Sequence, residues 1–202
     1  MNDIHKLVQR LDRKDISVKE LIEISIINNC KFYWHPLGFI MSKLIQEGDL
    51  ALRFHIWPKY GGKMQIPTWL IHDHIFHMNS WVISGSIINH EYAVENVPAS
   101  NHVLYEVEYE GYYSKLIRTD DSILIKTIRS QAVQAGDLYE IPAGTLHKSE
   151  SIIGESSVTV VLTENKLTRS PKVVGDDDGK SYYLYSRNEV DDKSLNEILG
   201  SL

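Results

Sequence analysis

The chain has 202 residues, 43% of them hydrophobic and 24% charged, with 12 Gly and 6 Pro. These values fit one globular domain with a sizeable core and exclude collagen-like, low-complexity and mainly disordered chains. The net charge is −6 and the 21 Lys and Arg are scattered rather than clustered, which argues against nucleic acid as a partner. The single cysteine, Cys30, allows no intramolecular disulfide and suits a reducing cytoplasm. No basic-then-apolar leader opens the chain at Met1-Asn2-Asp3, and no window approaches ~20 apolar residues, so no membrane partner is expected.

Residues 1–30 read as a helical segment packed on a larger body. Ile4, Leu7 and Leu11 recur at helical spacing. Ser17-Val18-Lys19-Glu20 is a capping box, and Leu21, Ile22, Ile24, Ile26 and Ile27 after it suit packing. Cys30 reads as a buried, inert thiol.

From about Phe32 the texture changes to short Val-, Ile-, Tyr- and Trp-rich runs between Gly, Pro, Asn and Asp. Residues 31–165 therefore read as a β-barrel or sandwich. The expected strands are Gly38–Ile45, Asp49–Trp57, Leu70–His74, Asn79–Ser84, Ser86–Ala93, His102–Tyr109, Tyr112–Thr119, Ser122–Ala132, Leu138–Ile141, His147–Ser151 and Ser157–Leu162. Glu110-Gly111 and Asp120-Asp121 look like hairpin turns.

Residues 166–202 read as a C-terminal extension. Asp176-Asp177-Asp178-Gly179 is a polar turn, with cation binding as the less favoured reading. Ser181–Ser186 suits an edge strand. Asp191-Asp192-Lys193-Ser194 caps a short helix running to Leu199, with Gly200 ending it.

Two segments carry chemistry. In Gly136-Asp137-Leu138-Tyr139-Glu140-Ile141-Pro142-Ala143-Gly144-Thr145-Leu146-His147, Gly136 opens a turn into a strand and Pro142-Ala143-Gly144 makes a tight corner. The chain then reverses and sends His147 toward the interior. In His72-Asp73-His74, two histidines at a spacing of two share one face of a strand. Three neutral imidazoles from His72, His74 and His147 can hold one divalent metal and leave positions open for a substrate or O₂.

These residues resemble the cupin superfamily. Gly136, Pro142, Gly144 and His147 match its second motif, G-x5-P-x-G-x2-H, and His72 and His74 match the HxH of the first, with Gly85 as its closing glycine. The resemblance covers roughly residues 50–163. It implies a mainly β chain: a double-stranded β-helix, or jelly-roll barrel, with the site inside, N-terminal helices and a short C-terminal helix. Many cupins add a ligating Glu after a gap of three or four residues from the second His, where this chain has Met78 and Asn79. That departure points to three-histidine sites like those of the cysteine dioxygenase type, which share the string Ile71-His72-Asp73-His74. The thiol dioxygenases also place a Tyr on the strand after the third His, and Val158–Glu164 has none. The string His72-Asp73-His74-x-x-His77 also resembles uncharacterised bacterial cupins.

The resemblance implies Fe(II), with Zn, Ni or Cu as the other candidates, and a small-molecule substrate together with O₂. It also implies pairing into a homodimer through exposed strands. A non-redox metal-binding or ligand-sensing cupin and a metal-independent sugar-nucleotide isomerase or epimerase are the alternative functions. His77 joins the site if a bulge turns it inward and lies outside it otherwise. Leu50–Trp57 alternates, with Leu52, Phe54 and Ile56 on one face and Arg53, His55 and Trp57 on the other. If the second face lines the cavity, Arg53 clamps a substrate carboxylate and His55 moves protons. If not, that face is a polar exterior. His35 belongs to a packed turn or touches the ligand. Trp57, Trp69 and Trp81 either wall the pocket or fill the core.

Overall fold

The computed structural model describes residues 3–202; Met1 and Asn2, the start of the expected helical segment, lie outside the described residues. Helix α1 (Ile4–Asp12) buries Ile4, Leu7 and Leu11, and the Asp3 carboxylate accepts from the His5 amide at 2.9 Å. Helix α2 (Val18–Ile27) starts at the expected capping box, with both reciprocal bonds made: the Glu20 amide donates to Ser17 Oγ at 3.2 Å and the Ser17 amide to Glu20 Oε2 at 2.9 Å. Such a cap stabilises a helix by about 1 kcal/mol. Helix α3 (Asp192–Leu199) is capped by Asp191, whose Oδ1 accepts from the Ser194 amide.

Ile26 and Ile27 depart from the expected packing, being 66% and 74% exposed. Leu21 and Ser25 define the buried line of α2. At about 100° per residue, Ile27 falls on the far side of the helix from Ser25.

The strands are β1 (Phe32–Trp34), β2 (Ile40–Glu47), β3 (Leu50–Trp57), β4 (His77–Ser84), β5 (Ser86–Asn96) and β6 (His102–Glu110). They continue with β7 (Tyr113–Gln134), β8 (Leu138–Ile141), β9 (Leu146–Ser151), β10 (Ser157–Glu164), β11 (Lys172–Asp176) and β12 (Tyr182–Ser186). One sheet runs β1-β2-β3-β10-β4-β8 and the other β11-β6-β7-β5-β9, with β12 added on β7. Every pairing is antiparallel. Two facing antiparallel sheets connected in this crossed order make a jelly roll. No helix among the described residues is long and apolar enough to cross a membrane.

Three departures from the expected strands have physical causes. Tyr112–Thr119 and Ser122–Ala132 are one continuous strand, β7, without a hairpin at Asp120-Asp121. β6 pairs with its first part and β5 with its second, so both halves of the ladder are satisfied without a reversal. The polar residues form a bulge: Val103 faces Ser122 but Tyr105 faces Arg118, and Thr119 Oγ1 accepts from the Asp121 amide. The Glu110-Gly111 turn is present, with Gly111 at φ 60°.

Second, Leu70–His74 is no regular strand. His72 makes single bridges to His147 and to Val173, wedged between β9 and β11. Third, β11 lies where no strand was expected. Its Gly175 packs so tightly that an added Cβ would stand 2.6 Å from the Tyr105 ring and 2.7 Å from Trp69.

The helices decide which way the β3 side chains face. Leu52, Phe54 and Ile56 pack with Ile4, Leu7, Leu11 and Leu21 in one buried cluster. The outer face of the first sheet is therefore dry, and the polar alternate residues of β3 point into the barrel. This reverses the usual arrangement of an antiparallel sheet, polar outside and apolar inside. Trp81 belongs to the helix-side cluster, its Nε1 donating to Asp12 Oδ1 at 3.1 Å.

Candidate metal centre

The three histidines expected to meet do so. The ligand atoms of His72, His74 and His147 all lie within 4.8 Å of one another. His72 Nε2 and His74 Nε2 are 3.2 Å apart. Two nitrogens bound to one ion at ~2.1 Å, with angles of roughly 90–110°, would stand about 3.0–3.4 Å apart. The first pair already has that spacing.

Backbone bonds converge the rings without a regular strand. The His72 and His147 amides each donate to the other's carbonyl, at 3.0 and 2.8 Å. The Gly144 amide donates to the His74 carbonyl at 2.8 Å. Gly144 sits at φ 84°, where L side chains are strained, and a Cβ there would stand 2.9 Å from Arg169 Nη2.

Asp73 points the other way. Its carboxylate is 3% exposed and accepts from Arg169 Nη2 at 2.5 Å and from the Lys172 amide at 2.6 Å. It thereby ties the His72–His74 segment to the run that becomes β11. Sequence reasoning found the histidines on either side and gave Asp73 no task.

The tautomers favour a metal. His72 Nδ1 is 2.8 Å from the Leu70 carbonyl, so this nitrogen carries the proton and Nε2 presents a lone pair. His147 Nδ1 donates to Asn89 Oδ1 at 3.2 Å, and its Nε2 is buried without a partner. An unpaired buried acceptor beside two other imidazole nitrogens fits a cation at their centre. Burial, then the neighbouring imidazoles, holds His74 and His147 well below the usual histidine value. Burial lowers His72 too, partly offset by the Leu70 carbonyl and Asp73. All three are neutral at pH 7, as metal ligation requires.

The centre opens on a cavity of about 280 Å³. Arg53, His55 and Trp57 line it, as the inward reading of β3 expected. Arg53 Nη1 donates to Thr163 Oγ1, and its guanidinium lies 5.1 Å from the Phe76 ring centroid. Phe76 in turn stacks on His74 at 5.2 Å, so one aromatic ring separates Arg53 from a candidate ligand. Burial drops His55 to about 3, with the Arg53 charge adding to it. It is therefore neutral at pH 7.

His35 both packs in a turn and lines the cavity, stacked on Phe39 at 4.3 Å. Phe39 continues the stack to Trp57 at 4.6 Å. Trp69 packs with Tyr105, away from the cavity, and donates to Asp176 Oδ2 at 2.9 Å. Asp177 is likewise engaged, accepting from Arg118 Nη2 at 2.8 Å, so the acidic turn ties side chains together. His77 opens β4 outside the cluster, its Nε2 4.0 Å from Glu140 Oε2, whereas Met78 lines the cavity. Cys30 is half-buried, and burial raises its thiol pKa.

Several residues of the site were missed, Asn89 behind His147 and others in the cavity lining. Asn89 shares the inward parity of Ile87 on β5, and a polar residue at such a position was a usable signal. Tyr139 follows the same logic on β8. Arg187 and Tyr109 gave no signal, because both reach the cavity through tertiary contacts.

No family model matches the chain, and no curated protein does. Solved structures resemble it in outline only. Hydroxypropylphosphonic acid epoxidase from S. wedmorenis is 7% identical over 68% of this chain and 56% of its own, with a TM-score of 0.43. A polyketide cyclase from Streptomyces resistomycificus is 16% identical over 71% and 73%, with a TM-score of 0.40. A cupin 2 conserved barrel domain protein from Rhodopseudomonas palustris is 12% identical over 65% and 64%, with a TM-score of 0.33. The chain thus spans about half of the epoxidase and just under two thirds of the cupin 2 protein.

Proposed function

We propose that this protein is a metal-dependent oxygenase: a non-haem Fe(II) dioxygenase that oxidises a small organic substrate bearing a thiol or a carboxylate. The observation that carries the reading is the buried, unpartnered Nε2 of His147, facing His72 and His74 at the cavity. A neutral three-nitrogen donor set suits a borderline divalent ion and leaves positions for exogenous ligands. Iron is preferred here over Zn, Ni or Cu by the resemblance to thiol dioxygenases in the string Ile71–His74. Bound Fe(II) would supply the one-electron chemistry that lets O₂ react with a coordinated closed-shell molecule.

The rest is work for this chain's side chains. Arg53 binds an acidic group of the substrate and, held by Thr163 and Phe76, fixes its orientation toward His74. The stack of His35, Phe39 and Trp57 makes a flat apolar wall for the substrate and excludes water from the reacting side. Asn89 keeps the proton on His147 Nδ1 and so keeps Nε2 free.

The test is metal analysis of anaerobically purified protein, followed by oxygen uptake with a panel of small thiols and carboxylates. Wild-type protein is expected to hold close to one iron per chain and to consume O₂ with at least one class. His147→Ala is expected to lose most of the metal and all turnover. Turnover that persists in metal-free protein overturns the reading.

A further inference from the structure

Four arginines outside the cavity, Arg10, Arg118, Arg129 and Arg169, are ion-paired, and a fifth, Arg13, is exposed and bonds only to Gln9. Arg10 meets Glu20 at 2.8 Å, Arg118 meets Asp177 at 2.8 Å and Arg169 meets Asp73 at 2.5 Å. The two arginines of the cavity are unpaired although both are partly buried. Arg53 and Arg187 make no ion pair with any carboxylate among the described residues. Each is held by a hydroxyl and an aromatic face: Arg53 by Thr163 and Phe76, Arg187 by Ser114 at 2.6 Å and by Tyr109, whose centroid is 5.1 Å away. No Asp or Glu lines the cavity that both of them line.

The other polar groups of the cavity add donors. Leu37 N–H donates to His35 Nδ1 at 3.2 Å, so the neutral His35 ring carries its proton on Nε2. Trp57 Nε1 and Ser80 Oγ are buried without partners. A chain of net charge −6 has thus gathered two permanent cations and several free donors around one cavity. Bringing two like charges to one partly buried cavity is unfavourable unless opposite charge arrives with the ligand.

Arg187 is also placed on purpose by the backbone. It follows β12, and its amide donates to the Tyr112 carbonyl at 2.9 Å. Next to it the Trp34 amide donates to the Asn188 carbonyl at 2.9 Å, and Val190 N–H donates to the Phe32 carbonyl at 2.8 Å. This strap crosses from the second sheet to the first, so Arg187 is held from both sides.

We propose that the substrate is a small molecule with two anionic groups, one seated on Arg53 and the other on Arg187. The proposal rests on the oxygenase reading for the location of the site, and it names the class of molecule that site takes. Arg187 is then the residue that separates diacids from monoacids. Both second groups, carboxylate and phosphonate, satisfy a guanidinium in the same bidentate way.

The experiment is calorimetric titration of the full-length protein at pH 7, with metal content measured on each sample. The probes are linear dicarboxylates of three to six carbons, phosphonocarboxylates of the same lengths, and the matching monocarboxylates. At least one doubly charged probe is expected to bind roughly tenfold to hundredfold more tightly than its monocarboxylate partner, a second charge-assisted contact being worth about that much. The better of the two series identifies the second group. Arg187→Gln is expected to bring diacid affinity down toward the monoacid level while weakening monoacid binding far less, whereas Arg187→Lys retains part of the preference. If no doubly charged probe outbinds its monoacid, or if Arg187→Gln weakens both series equally, the proposal is overturned. If wild-type protein shows the Arg187-dependent preference but binds no Fe(II) when it is supplied anaerobically, the oxygenase reading falls and the two-anion site stands.

Discussion

Asn89 does not touch the metal position, yet replacing it should be felt there. Its Oδ1 accepts from His147 Nδ1 at 3.2 Å and from Ser149 Oγ at 3.0 Å, in a setting where Asn89 is 3% exposed. In Asn89→Ala the imidazole proton keeps only Ser149 Oγ, at 3.4 Å, as a neighbour. A buried donor left without its acceptor costs about 1–3 kcal/mol of stability. The ring also loses what fixes its tautomer, and the loss of such a partner typically weakens metal binding roughly 10–100-fold, or about 1.4–2.7 kcal/mol. Competition for Zn²⁺ against a chromophoric chelator reads that change directly. Asn89→Asp keeps the acceptor and makes His147 more basic, so its affinity should equal or exceed that of the wild type. If Asn89→Ala is folded and binds Zn²⁺ within about twofold of the wild type, the tautomer argument, which rests on expected losses of at least tenfold, is wrong.

Two further predictions follow from buried charge. In metal-free protein, burial holds the cavity imidazoles of His35, His55, His72, His74 and His147 below their usual value, His55 at about 3. The unfolded chain then binds more protons below pH ~6.5, so this stability is complete above that pH and drains away on acidification, His55 alone contributing a slope of about 1.4 kcal/mol per pH unit. Urea midpoints should fall steeply between pH 7 and pH 5 (about that window), and a flat profile would contradict the burial argument. The second prediction concerns Arg169→Gln, which removes the charged partner of a carboxylate that is 3% exposed, although the arginine itself is 36% exposed. Discounted for that exposure, the loss is about 1–3 kcal/mol, or a melting midpoint lower by roughly 2–10 °C in scanning fluorimetry. An unchanged midpoint would mean that Asp73 does not depend on the pair.

Much of the site was legible because its signals are local. The tight corner at Pro142–Gly144 and the HxH spacing at His72 and His74 are fixed by neighbours in sequence, and they brought three rings together as expected. The alternation of β3 was equally plain, but sequence could not say which face was inward until the helices were seen to cover Leu52, Phe54 and Ile56. What failed was decided at long range. Asp120-Asp121 carries turn chemistry, but pairing with β5 and β6 on successive stretches kept β7 extended. His72 has strand-like neighbours, yet it is wedged between two ladders and holds one bridge to each. Arg187 is 134 residues from Arg53 along the chain, and no spacing rule connects them.

The dry exterior of the first sheet has a bearing on how related chains should look. Because Leu52, Phe54 and Ile56 face a helical blanket, a barrel of this kind that lacks the terminal helices must carry hydrophilic side chains at those three places or bind to something that replaces the blanket. Shortening this protein at its N-terminus should therefore yield a sticky, self-associating product, even though every histidine of the centre would still be present.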